Sequence, residues 1–149
     1  MVKVETYDNI IFVVLSGQLT LEEAESIAQA VTTNSEKHEE IYLIGIPVNM
    51  TGFPSRLTDM LKAANTMREA QSRVKRVYGI KYNPIFSFMT SVGIQLLRLK
   101  NNTIEADNVD ELFEVIEKEA QVLPTLKSSW GHYGNQIKAS FAQSTLELT

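Results

Sequence analysis

Hydrophobic and polar positions alternate in the first part of the chain. Residues 2–7 switch between apolar and polar side chains, a pattern typical of a half-exposed strand. Residues 10–15 are a continuous apolar run rich in β-branched side chains, which predicts a buried central strand. Asp8 and Asn9 stand between the two segments and favour a tight turn, so the pattern predicts a β-hairpin.

Strand and helix patterns then alternate along the chain. An apolar stripe at helical spacing follows Thr20, which has Glu23 three residues later, the spacing of a capping box. Further strands are predicted over 41–46, 74–80 and 103–106, and further helices after Pro54, over 85–99 and from Asn108 onward. The order β-β-α-β-α-β-α-β-α predicts an α/β fold, with a single mixed, mostly parallel sheet and a leading β-hairpin.

The pattern changes at Pro124. Clear periodicity ends before it, and the residues that follow are rich in Ser, Thr, Gly, Asn and Gln. We therefore predict an α/β domain over 1–123 and a polar C-terminal tail over 124–149. The tail is expected to be partly ordered or packed on the domain, with a short helix around 136–143.

Composition excludes several kinds of chemistry. The 149 residues suffice for one hydrophobic core. The chain has no cysteine, which excludes disulfides, thiol nucleophiles and thiolate metal sites. It has only two histidines, too few for a multi-histidine metal site. We therefore expect neither a metal nor a cofactor. A net charge of -4 argues against general nucleic-acid binding. The start of the chain is polar and no apolar run is long enough to span a membrane, so we expect a cytoplasmic protein without integral membrane association.

The charge is unevenly distributed along the chain. Residues 1–55 carry two basic and eight acidic side chains, whereas 56–100 carry nine basic and two acidic ones. Residues 101–149 are acidic again. Two interpretations stay open: solvated helix faces that happen to differ in sign, or a basic face for an acidic partner or a phosphate group.

No catalytic motif is present, and the most informative segment is the loop at 49–53. The sequence contains neither a phosphate-binding loop nor a nucleophile elbow, and no spacing singles out an acid/base pair. The loop follows the strand at 41–46 and leads to a helix start at Pro54, the place where ligands and partners dock in open α/β sheets. The alternative is a plain strand-to-helix turn, in which Gly52 supplies an unusual backbone angle.

Four segments resemble the STAS family of anti-sigma-factor antagonists and sulfate-transporter domains, and in particular its bacterial members related to lipid-binding SEC14 domains. They are IIFVVLSGQLTLEEAESIAQAV, IYLIGIPVNMTGF, VKRVYGI with NPIFSFMTSVGIQLL, and TIEADNVDELFEVI. The resemblance covers roughly residues 2–120 and rests on the order of elements and the positions of the turns.

The resemblance implies a non-enzymatic regulatory domain that binds another protein, such as an anti-sigma-type kinase. In anti-sigma-factor antagonists the corresponding loop holds a phosphorylated Ser or Thr, and Thr51 stands at that position. Asn49 and Met50 replace the Asp and the first Ser of the family motif. The partner-binding surface implied by the resemblance consists of Asn49, Met50, Gly52, Phe53, Arg56, Asp59 and Met60.

Two alternatives concern other classes of function. The predicted helix over 85–99 is apolar nearly all round, which is typical of core burial, of a homodimer surface or of a lipid or small apolar ligand pocket as in SEC14 domains. The residues that would form that surface are Phe86, Phe88, Met89 and Leu96. The second alternative is a small α/β enzyme of unknown reaction.

Overall fold

The structure, a computed structural model, describes residues 1–52, 56–80 and 102–148. The elements within these ranges are β1 (Val2–Tyr7), β2 (Ile10–Gln18), α1 (Leu21–Ser35), β3 (Tyr42–Gly52), α2 (Leu57–Gln71), β4 (Arg76–Ile80), β5 (Thr103–Ala106), α3 (Val109–Val122) and α4 (Pro124–Leu148). The helix predicted over 85–99 lies outside the described residues.

The five described strands form one sheet in the order β1-β2-β3-β4-β5. β1 and β2 are antiparallel and form the predicted hairpin around Asp8 and Asn9, and each later pair of neighbours is parallel. Asp8 has a φ of 58°, a left-handed angle that Asp tolerates in a tight turn. The predicted α/β fold with a mixed, mostly parallel sheet is therefore confirmed.

Helices cover both faces of the sheet. Residues 10–15 of β2 are at most 3% exposed, because alternate side chains enter two separate cores. The core beneath α1 and α2 includes Ile11, Val13, Ile27, Val31 and Met67. The core beneath α3 and α4 includes Ile10, Phe12, Leu112, Ile116 and Trp130. Both faces of the central strands are thus removed from water, as their unbroken apolar run predicts.

Strand β3 is longer than its predicted range of 41–46. It passes through Pro47 and ends at Gly52, so the expectation that Pro47 ends the strand is wrong. Pro47 lies opposite Leu15 of β2, whereas β4 pairs with β3 only over 42–44 within the described residues. Beyond that point β3 is an edge strand on its β4 side, a location where the missing N–H of proline is tolerated.

The segment predicted as a tail forms the single helix α4. It is much longer than the short helix expected around 136–143, and Leu126, Trp130 and Ile137 are buried in the same core as α3. Buried Gly134 lies against the Trp130 ring, where a Cβ would come within 3.1 Å. A narrow apolar stripe on an otherwise polar helix explains why composition alone pointed to a tail. The division of the chain at 123/124 stays a prediction.

Candidate functional site

The carboxyl ends of β2 and β3 contain two residues with left-handed backbone angles. Gly17 has a φ of 64° and Asn49 a φ of 52°. The register places Leu15 opposite Pro47, Gly17 opposite Met50 and Gln18 opposite Gly52. β3 therefore has two more residues than β2 over this stretch, one between Pro47 and Met50 and one at Thr51. Such an extra residue is a β-bulge, which bends the strand and increases its twist.

The bulge changes which face of the sheet the later side chains of β3 contact. Ile46 and Val48 pack on the core beneath α3 and α4, but Met50 packs on the core beneath α1 and α2. In a regular strand, side chains two residues apart share a face. The left-handed angle at Asn49 therefore reverses the alternation, and Asn49 itself is exposed. Its side-chain amide makes a long contact, 3.5 Å, with the carbonyl oxygen of Leu148.

Thr51 lies at the exposed end of this bulged strand. Its side chain faces solvent, and no described residue forms a hydrogen bond with its hydroxyl. Gly52 is the last residue of β3, and Phe53 lies outside the described residues. The Thr51 hydroxyl is therefore exposed to solvent and has no hydrogen-bond partner among the described residues.

The two helices that begin at this end of the sheet differ in their caps. Thr20 caps α1, since its hydroxyl accepts from the Glu23 amide at 3.2 Å and the Glu23 carboxylate accepts from the Thr20 amide. The predicted capping box is therefore confirmed. Arg56 occupies the same position before α2 and makes no side-chain cap. An arginine side chain has only donors, so it cannot accept from first-turn amides, and the start of α2 favours an anion.

The other predicted contact residues lie around the start of α2. Arg56 is exposed, and Asp59 is half-buried in the first turn of the helix. Met60 is within α2, but its side chain is not among those described. Arg56 and Asp59 thus lie at the start of the helix that follows Thr51.

The basic segment divides into two parts with different surroundings. Lys75 and Arg76, next to and in β4, pair with Glu40 and Glu119, and the hydrogen bond to Glu40 raises the pKa of Lys75. The exposed cations on and beside α2 form no ion pair with any described residue; they are Arg56, Lys62, Arg68 and Arg73. The structure therefore leaves four cations on and beside α2, which also carries the exposed Glu69 and the half-buried Asp59.

Among the described residues, the side chains whose pKa values are shifted lie away from the end of β3. Burial, followed by the nearby Glu119 carboxylate, raises the pKa of Tyr78, whose hydroxyl donates to Glu119 at 3.1 Å. These two groups tie β4 to α3 and are structural. Within the described ranges, no cluster of His, Asp or Glu side chains could hold a metal ion, and no helix is long and apolar enough to cross a membrane.

Comparison with solved structures finds two forms of one regulatory protein. The anti-sigma factor antagonist SpoIIAA in its unphosphorylated form is 16% identical, with a TM-score of 0.49 over 79% of this chain and 96% of that one. The phosphorylated Bacillus cell fate determinant SpoIIAA is 15% identical, with a TM-score of 0.44 over 78% and 99%. The chain is similar to an anti-sigma factor antagonist.

A third structural match is to an enzyme. Enoyl-CoA hydratase from Bacillus halodurans is 12% identical, with a TM-score of 0.43 over 99% of this chain and 93% of that one. No protein-family model matches the chain, and neither does any curated protein sequence. At these identities and TM-scores we base the proposed function on the geometry of this chain.

The prediction of a loop at 49–53 is wrong for its described residues, because 49–52 form the end of β3, and the sequence pattern also missed the residue that shapes this segment. Asn49 was predicted only as a member of the contact surface, whereas the structure gives it the left-handed angle that turns the end of β3. Asn adopts this angle more readily than other residues with a side chain, and that preference is the signal that could have found it. The residues of the apolar-surface alternative, Phe86, Phe88, Met89 and Leu96, all lie outside the described residues.

Proposed function

We propose that the protein is a non-enzymatic regulatory domain that binds another protein through the end of β3 and the start of α2. This β3-end surface comprises residues 49–53 with Arg56, Asp59 and Met60. The observation that carries the proposal is the exposed Thr51 hydroxyl, presented by a bulged strand just ahead of a helix without a side-chain cap. The resemblance of the sequence to anti-sigma-factor antagonists supports the same assignment.

Phosphorylation of Thr51 is the proposed switch. A phosphate group adds roughly 1.5 to 2 negative charges and three strong acceptor oxygens at neutral pH. Arg56 follows only five residues later, at the N-cap of α2, and its side chain makes no cap hydrogen bond to the first-turn amides. A phosphate on Thr51 would therefore reorganise the surface by attracting both groups, and this would change the contact with the partner.

The exposed cations of α2 indicate the chemistry of the partner. The region from Arg56 to Arg73 has four cations and two acids, Asp59 and Glu69, and none of the four cations pairs with a described acid. A partner with an acidic contact surface fits this excess of positive charge, and a new phosphate within the interface would repel it. An anti-sigma-type kinase that also modifies Thr51 is the class of partner that the sequence resemblance favours.

Mass spectrometry of the protein purified from its native host tests the modification. We expect a phosphate on the peptide that contains Thr51 under at least one growth condition, and its loss in a Thr51→Val variant. Phosphate found only on other peptides, or on none across growth and stress conditions, would contradict the proposed switch.

A further inference from the structure

The outer edge of β1 presents unpaired backbone groups. Ser16 donates its amide to the Met1 carbonyl at 2.7 Å, and the Met1 nitrogen donates to the Ser16 carbonyl, so these two residues form a bonded pair. Bonded and non-bonded pairs alternate in an antiparallel ladder. Val2, Val4 and Thr6 therefore direct their N–H and C=O groups away from β2, and no described residue bonds to them there.

We propose that this edge binds β1 of a second copy of the same chain, in an antiparallel pairing centred on Val4. Val4 would face Val4 of the second copy, and Val2 would face Thr6. The interface would thus contain one pair of Val4 residues and two pairs of Val2 with Thr6. Each of these three pairs would exchange two backbone hydrogen bonds, because its members direct their N–H and C=O groups outward. The two sheets would then form one continuous sheet, and neither edge would remain open.

Charge selects this register over its neighbours. Lys3 and Glu5 point to the opposite face from Val4, where they lie 3.3 Å apart as an ion pair within the chain and keep 38% and 27% of their side chains exposed. In the Val4-centred register each Lys3 lies opposite Glu5 of the second copy, and such opposite-charge pairs stabilise a sheet. Moving the register by one step places Lys3 opposite Lys3, or Glu5 opposite Glu5, and like charges facing each other are destabilising.

The α1 side of this edge has room for an added strand. A groove of about 620 Å³ runs between β1 and α1. Val4 and Thr6 line its strand side. Its helix side is lined by the small side chains of Ser26, Ala30 and Thr33 together with the longer Gln29, Lys37 and His38. Val2, Val4 and Thr6 of a second copy would enter this space, since directly paired residues project to the same face of a sheet. The interface lies at β1, so the inference does not depend on the proposed function of the β3-end surface.

Charge reversal tests the register with the full-length chain. Multi-angle light scattering should give twice the chain mass of 16.8 kDa for the wild type. Lys3→Glu should halve that mass and the conservative variant Lys3→Arg should leave it unchanged, with thermal unfolding showing that each variant is folded. A monomeric wild type would overturn the proposal, as would a dimer unaffected by Lys3→Glu.

Disulfide formation gives a second test that does not disturb the charges. The chain contains no cysteine, so a single Val4→Cys variant has one thiol, placed beside its own copy at the centre of the interface. Paired residues at this position have Cα atoms about 5.5 Å apart, within the range of a disulfide. Under mild oxidation we expect a covalent dimer from Val4→Cys and little from Gln121→Cys, an exposed control on α3. Equal cross-linking of the two variants would overturn the pairing.

Discussion

At the scale of single residues, Glu5 fastens the C-terminal helix to the edge of the sheet. Its carboxylate accepts hydrogen bonds from Tyr7 and from Ser140 of α4, and one oxygen lies 3.3 Å from the Lys3 ammonium. Burial alone would raise the pKa of Glu5, but the hydrogen bonds from Ser140, Tyr7 and Lys3 outweigh it and hold the pKa below its ordinary value.

This lowered pKa predicts a loss of stability in acid. Because the pKa of Glu5 is lower in the folded chain than in the unfolded one, its stabilising effect is present above the ordinary value of 4.5 and is lost as the pH falls through the folded value. Urea unfolding should show that Glu5→Gln lowers the free energy of unfolding at pH 7, and that the difference from wild type shrinks towards pH 3. Ser140→Ala should reproduce part of this loss. A difference that stays constant between the two pH values would contradict the assignment.

At the scale of elements, β3 and α4 show where local patterns stop being informative. The hairpin, the strand over 103–106 and the Thr20 capping box were all predictable, because each depends on residues close together in the sequence. The continuation of β3 beyond Pro47 was not, since it depends on which strand lies beside that residue. The full length of α4 was not either, because only its contact with the sheet shows that the stripe through Trp130 is buried.

The bulge in β3 predicts how Asn49 tolerates substitution. A β-branched side chain in the left-handed region costs about 1–2 kcal/mol, whereas glycine adopts it without that penalty. Asn49→Val should therefore lower the free energy of unfolding by an amount of this order, and Asn49→Gly by much less, as measured by urea denaturation. Asn65→Val, at an exposed position within α2, serves as a control for the substitution itself. If Asn49→Val and Asn49→Gly were equally stable, the left-handed turn at this position would be contradicted.

At the scale of the whole molecule, two of its surfaces point to separate contacts. The β3-end surface lies at the carboxyl ends of the parallel strands, and the outer edge of β1 lies two strands away from β3. The order of elements was enough to place Thr51 between a strand and a helix, but not to show that the strand itself continues to Gly52. Its exposure and the missing side-chain cap of α2 could not be read from the sequence, because both depend on how the chain turns after Asn49.

The central claim is that negative charge at Thr51 releases a partner protein from the β3-end surface. Quantitative affinity capture from the lysate of the native host tests it most directly, with wild type, Thr51→Val, Thr51→Glu and Ser128→Glu as baits. Ser128 is an exposed control near the start of α4, which packs at the opposite end of the sheet. We predict one host protein that is retained by wild type, Thr51→Val and Ser128→Glu but lost with Thr51→Glu. The same set of proteins on all four baits would contradict the account.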